Sequence, residues 1–201
     1  MLTYLGKGNG QRVAIVRLKA PSPDHAVTQL LPSLKSKGWE VGADVAYHKK
    51  AQDYEAVVVQ VKAASPDVIL MYLDTQAVPP LLKLLRQERS LAQAKFVGGI
   101  SLAFPYKLPP EVLEGIAVAA PSCALSNRPK VASSWFGIQF RERYGKPPHM
   151  FAAFCFDSAI LVGHAIKEQG SDPADVQAYL KTVNDYPGVT GRITVDRVGD
   201  A

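Results

Sequence analysis

This sequence has little of what normally announces a chemistry. Its two cysteines, Cys123 and Cys155, form no C-x-x-C pair, and its four histidines, His25, His48, His149 and His164, lie far apart. A zinc or other transition-metal centre needs such ligands at short, regular spacing, so no metal site is expected. Cys123 follows a strand-like run and Cys155 lies inside an apolar helix, where both read as small buried hydrophobes. No Gly-x-Ser-x-Gly elbow is present to expose a nucleophile. The glycine-rich stretch Lys7 to Gly10 precedes a strand. A phosphate-cradling loop must instead follow a strand and open a helix. The stretch therefore reads as a turn, and neither an enzyme nor a bound cofactor is expected.

Long hydrophobic runs are scarce too. The longest, Phe151 to Ile166, is interrupted by Asp157 and His164 and reads as too short and too polar to span a bilayer. The opening from Met1 to Gly6 lacks the apolar core of a secretory signal, so no signal peptide is expected in this chain. The net charge of +5 comes from scattered residues such as Arg12, Arg17, Lys35, Arg86 and Arg141. A nucleic-acid surface would gather them on one stripe with stacking aromatics between, so no nucleic-acid partner is expected.

What is present is core-forming material. At 47% apolar over 201 residues the chain can bury a sizeable core in one or two domains. From residue 11 to about 125, short β-branched runs alternate with amphipathic helices. Arg12 to Val16, Glu40 to Tyr47, Val68 to Tyr72, Lys95 to Val97 and Ile116 to Ala120 read as strands. Between them, Pro23-Asp24 opens a helix with Val27, Leu30, Leu31 and Leu34 on one face, which Pro32 should kink. Asp53 is placed to cap a helix running to Ala64, and a Leu-rich helix runs through Leu85. Such alternation implies right-handed βαβ units and a parallel sheet covered on both faces.

Beyond Pro121 the pattern changes. Ser122 to Pro129 is polar and proline-bounded, as a linker would be. Three helices follow. Ser134 to Tyr144 aligns Phe136, Phe140 and Tyr144; Phe151 to Lys167 is apolar nearly all round and should be buried; Asp172-Pro173 starts a helix to Thr182. Ile193 to Val195 reads as a lone strand.

Parallel α/β sheets gather ligands at the carboxyl ends of their strands. Three loops qualify: Leu18 to Asp24, Leu73 to Gln76 and Gly98 to Ala103. Their polar groups Ser22, Asp74, Thr75 and Ser101 are the candidate ligand-binding residues. Asp74 fits either an ammonium partner or a cap for the helix that follows, and the two roles are compatible.

Several motifs also carry a family likeness through their order. They are Asp53-Tyr54-Glu55, Ser65-Pro66-Asp67 before Val68-Ile69, Phe140 with Tyr144, Gly145 and Pro147, Phe156-Asp157-Ser158-Ala159, and Gly188 to Gly191 followed by Asp196. Together they resemble the type 1 periplasmic solute-binding proteins of ABC importers, the leucine/isoleucine/valine-binding group. The resemblance implies a Rossmann-like parallel α/β lobe over residues 11–125. Residues 126–201 would be an incomplete, mostly helical remnant of the first lobe, so truncation is expected. It also implies an extracytoplasmic parent that clamps a small metabolite (amino acid, amide or organic acid) between two lobes and docks on a membrane permease. Ser22-Pro23 stands where the amino-acid-binding members carry Tyr-Gly, and Ile100-Ser101 where they carry the acid that holds the ligand ammonium. A sensory or regulatory domain of the same fold is the alternative, and an α/β enzyme of flavodoxin-like type a third. Helix 151–167, without its usual cover, should leave an apolar patch and drive self-association.

Overall fold

The computed structural model describes residues 2–48, 54–104, 106–120, 134–197 and 199, in two compact units, Met1–Ala120 and Pro121–Ala201. Asp53, Cys123 and the Ser122–Pro129 segment lie outside the described residues.

After a short helix α1 (Leu2–Leu5), the first unit alternates β1 (Arg12–Leu18), α2 (Pro21–Ser36), β2 (Glu40–Tyr47), α3 (Glu55–Ala63), β3 (Val68–Tyr72), α4 (Val78–Gln87), β4 (Lys95–Gly98), α5 (Pro110–Leu113) and β5 (Ala117–Val118). The five strands form one parallel sheet in the order β2-β1-β3-β4-β5. The chain winds outward from β1 to one edge, then crosses back to β3 and winds the other way. The order therefore reverses between β1 and β3, whose register pairs Val16 with Met71 and Arg17 with Tyr72.

Both faces of the sheet are covered, which explains why residues 13–16 of β1 and the whole of β3 are apolar without interruption. Val13, Ile15, Val68 and Leu70 point to one side and pack with Val27, Leu30 and Leu34 of α2 and with Trp39. Ala14, Val16, Ile69 and Met71 point to the other and pack with Val57, Val58 and Val61 of α3 and Leu81, Leu82 and Leu85 of α4. Burying each such side chain stabilises the fold by roughly 1.5–3 kcal/mol before entropy is charged against it. Gly98, at the end of β4, leaves little room for a side chain unless Leu102 moves. A Cβ there would lie 2.1 Å from Leu102 Cδ1 and 3.1 Å from the Met71 carbonyl.

Several boundaries differ from the sequence reading. Helix α2 starts at Pro21 rather than Pro23, because proline is at home in a first helical turn, and it runs on through Pro32 to Ser36. Asp24 is therefore inside the first turn, where it pairs with Arg17. Strand β5 is two residues long, not five. The Lys7–Gly10 stretch is a turn, with Asn9 at φ 50° and Gly10 at φ 82°.

The second unit contains α6 (Trp135–Tyr144), α7 (Met150–Gln169), α8 (Pro173–Leu180) and a small antiparallel pair, β6 (Tyr186–Pro187) with β7 (Arg192–Ile193). The strand near Ile193 is thus not alone. Its partner contains Pro187, a residue that discourages a strand reading. Ser134 caps α6 by accepting from the Gly137 amide at 3.2 Å, and Gly145 ends it in the left-handed conformation at φ 69°. Phe136, Phe140 and Tyr144 stack down one side, with Phe156 of α7 4.6 Å from Phe136.

Helix α7 departs from expectation. Only Met150, Ala153, Asp157, Leu161 and Ala165 are buried, a single stripe, while Phe151 and Ile166 are 55% and 45% exposed. Cys155 is exposed too, so it is not the small core residue that its neighbours suggested. The helix is longer than its sequence reading, and at 20 residues it has the length and hydropathy of a membrane span. Its buried carboxylate shows how it is used in this unit. Asp157, 4% exposed, accepts from the amides of Val189 and Thr190 at 2.8 and 2.9 Å and from the Thr190 hydroxyl at 2.6 Å. Gly188 is required beside it, because a Cβ there would lie 2.6 Å from Asp157 Oδ2. Two motifs thirty residues apart are thus one hydrogen-bonded clamp.

Candidate functional site

The loops that leave β1, β3 and β4 converge at the switch point of the sheet, where adjacent crossovers run to opposite sides and leave a crevice. The crevice is an open cavity of about 240 Å³ lined by Leu18, Ser22, Pro23, Ala26, Tyr72, Leu73, Asp74, Gly99, Ile100 and Ser101. Three of the four residues singled out from sequence, Ser22, Asp74 and Ser101, meet here. Thr75 does not line the cavity and is exposed.

Each group is placed by a local cause. Ser22 sits in the proline-flanked first turn of α2 and is exposed. Ser101 lies in a 3-10 turn, Ile100–Ala103, directly after the Gly98-Gly99 strand end, and is only 9% exposed. Its carbonyl accepts from the Tyr106 hydroxyl at 2.6 Å, which fixes the turn against the following loop.

Asp74 is more constrained than its sequence position suggested. Its Oδ1 accepts from the amides of Gln76 and Ala77 at 2.8 and 3.2 Å, bracing the entry into α4. Its Oδ2 accepts from the Tyr47 hydroxyl at 3.0 Å, and that hydroxyl in turn accepts from the Asp74 amide at 3.0 Å. The capping role is therefore present, through the turn that precedes the helix. Tyr47 is 3% exposed and meets the Tyr54 ring edge-on at 5.8 Å. Burial pushes the Tyr47 phenol well above its ordinary range, and the neighbouring Asp74 carboxylate adds to this. Burial likewise raises Tyr106, with Asp74 contributing, and Tyr72.

Charge around the cleft is internally balanced. Arg17, in the last turn of β1, donates to Asp44 at 2.7 and 3.0 Å and pairs with Asp24. Tyr47, Tyr72 and Tyr106 were missed from sequence. The available signal was position: Tyr47 and Tyr72 are the last residues of their strands, on the end of the sheet where the loops gather. Among the described residues no group of three or more His, Cys, Asp or Glu could hold a metal ion.

A doubly wound parallel sheet with a crevice at its switch point makes the first unit a Rossmann-like α/β lobe. Residues 1–200 match the family model described as periplasmic binding protein, and the chain belongs to that family. Among solved structures it is similar to a leucine-binding protein of Thermotoga maritima, with a TM-score of 0.66 at 23% identity, covering 95% of this chain and 55% of that one. It is also similar to an ABC transporter substrate-binding protein of Desulfitobacterium hafniense in complex with Leu, with a TM-score of 0.70 at 19% identity over 98% of this chain and 57% of that one. A solute-binding protein of Rhodopseudomonas palustris in complex with 3,4-dihydroxybenzoic acid gives a TM-score of 0.63 at 18% identity over 96% and 54%. At these identities the likeness establishes the fold. The chain spans about half the length of these structures. No curated protein matches it.

Proposed function

We propose that this chain is a solute-binding component of an ABC importer, capturing a small metabolite at the crevice between the β1, β3 and β4 loops. The reading is extracytoplasmic and non-catalytic, and a membrane permease is the partner that would receive the solute. The observation that carries it is the convergence of Ser22, Asp74 and Ser101 on one cavity at the switch point of a lobe of this family. Ser22 and Ser101 offer hydroxyls to the solute, and Asp74 holds the loops that frame it. Thr75, exposed beside Asp74, belongs to the rim. Structural neighbours bound to leucine and to a dihydroxybenzoic acid support a small organic solute without choosing one.

The test is a thermal-shift screen of the full 201-residue chain against amino acids, aliphatic amides and aromatic acids. At least one class should raise Tm in a concentration-dependent way, and Ser101→Trp, which fills the cavity, should abolish that rise. A flat response across the panel would overturn the reading.

A further inference from the structure

Among the described residues the crevice has one charged lining residue, Asp74, and most of its acceptor sites are already engaged. A carboxylate has about four lone-pair sites. Three of those on Asp74 are taken, by two backbone amides on Oδ1 and by the Tyr47 hydroxyl on Oδ2. A solute ammonium carries three N–H donors and finds one open site here, on Oδ2 beside the Tyr47 hydroxyl; a second bond would displace a donor whose own partner is then lost. Tyr47 is deeply buried, so its hydroxyl has no water to fall back on.

An anionic solute fares no better. Among the described residues, no lysine, arginine or histidine lines the cavity. Arg17, on the strand that leads into it, is spent on Asp24 and Asp44. The helix starts facing the crevice are also poor in amide donors. In α2, Pro21 and Pro23 carry no N–H, and the Asp24 amide donates to the Ala20 carbonyl. Before α4, the Gln76 and Ala77 amides serve Asp74 Oδ1, the Val78 amide donates to the Asp74 carbonyl, and Pro79 and Pro80 carry none. At α2 and α4 the usual attraction of a helix start for anions is therefore largely disarmed. What remains among the described side chains is an apolar wall of Leu18, Pro23, Ala26, Leu73 and Ile100, with neutral Tyr72, Ser22 and Ser101 as the polar groups.

Resting on the solute-binding reading above, we propose that this cleft face selects uncharged solutes. An apolar body packs on Leu18, Pro23 and Ile100, a neutral acceptor such as an amide carbonyl meets Ser101, and Asp74 is withheld from the solute by Tyr47. Tyr47 is then a positioning residue for specificity, acting through Asp74 without touching the solute.

The experiment is an amide-resonance NMR titration of the full chain with isobutyl, cyclohexyl and phenyl bodies, each carried as primary amide, carboxylate and amine. Each amide should bind at least about ten-fold more tightly than its carboxylate and its amine, a gap of about 1.4 kcal/mol, with shifts centred on Ser22, Tyr72 and Ser101. In Tyr47→Phe the freed Oδ2 should narrow the amide-to-amine gap at least three-fold while leaving the amide-to-carboxylate gap in place. That split is one that mere loosening of the fold would not produce. Carboxylates or amines binding as well as amides would overturn the proposal and leave the solute-binding reading standing. An unchanged amine gap in Tyr47→Phe would overturn the role of Tyr47. No shift at Ser22 or Ser101 with any of the nine compounds would overturn the solute-binding reading itself.

Discussion

The two units solve the burial problem differently. In Met1–Ala120 a five-stranded sheet is covered from both sides, and the side chains of β1 and β3 divide alternately between two apolar layers. In Pro121–Ala201 the longest helix buries one stripe, and a carboxylate with three donors ties it to the chain that follows. One unit is held by many apolar contacts across two layers; the other adds a few specific polar ones to a smaller apolar stripe and aromatic stack. The difference teaches where each tolerates change. A packed layer loses stability in proportion to the volume removed, whereas a hydrogen-bonded clamp fails as a unit when its acceptor goes.

The largest expected effect sharpens the first half of that comparison. Phe96, 1% exposed and with the Arg86 guanidinium 4.2 Å from its ring centre, is a keystone of the larger layer. Phe96→Ala should cost about 3–5 kcal/mol in chemical denaturation of the first unit. A loss under about 1 kcal/mol would show that the layer is looser than its burial implies.

Next comes the clamp. Asp157→Ala should cost about 2–3 kcal/mol, because two amides and a hydroxyl lose a charged acceptor at once. Hydrogen exchange should rise at Val189 and Thr190 while β1 and β3 stay protected. If exchange rose equally in the sheet, the two units would be one cooperative body and the contrast would fail.

The smallest effect concerns Tyr47. Tyr47→Phe removes one hydrogen bond to Asp74 and should cost about 1 kcal/mol. The same phenol sets an alkaline limit. Its folded pKa lies above the ordinary 10.0, so the folded state holds this proton more tightly than the unfolded one. Its contribution is complete below pH 10.0 and declines as pH rises from there toward the folded value. Tyr47→Phe should therefore flatten the stability-versus-pH curve above pH 10.0, and an unchanged slope would remove Tyr47 from that role.

Much of the first unit was legible in sequence because its signals are local. Val68 to Tyr72 is an apolar run after a Pro-Asp turn, and it is a strand as read. The carboxyl-end rule then grouped Ser22, Asp74 and Ser101, which line one crevice, since loop position follows from strand direction alone. Asp74's partner was not legible, because Tyr47 is 27 residues away and joins it only once β2 and β3 are in one sheet. Thr75 does not line the crevice, because adjacency in sequence does not fix which way a turn residue faces. In the second unit, an apolar composition around α7 could not reveal how much of it would be covered. The Asp157 clamp was present as two separate motifs whose connection is purely spatial.

Gly98 carries a consequence for how such a cleft can diverge. It is fixed by the Leu102 side chain and the Met71 carbonyl pressing on the space a Cβ would need. Ser22, Pro23 and Ile100 face the cavity. Substitution at residues 22, 23 and 100 changes the wall that a solute would meet, while a side chain at residue 98 must first displace Leu102.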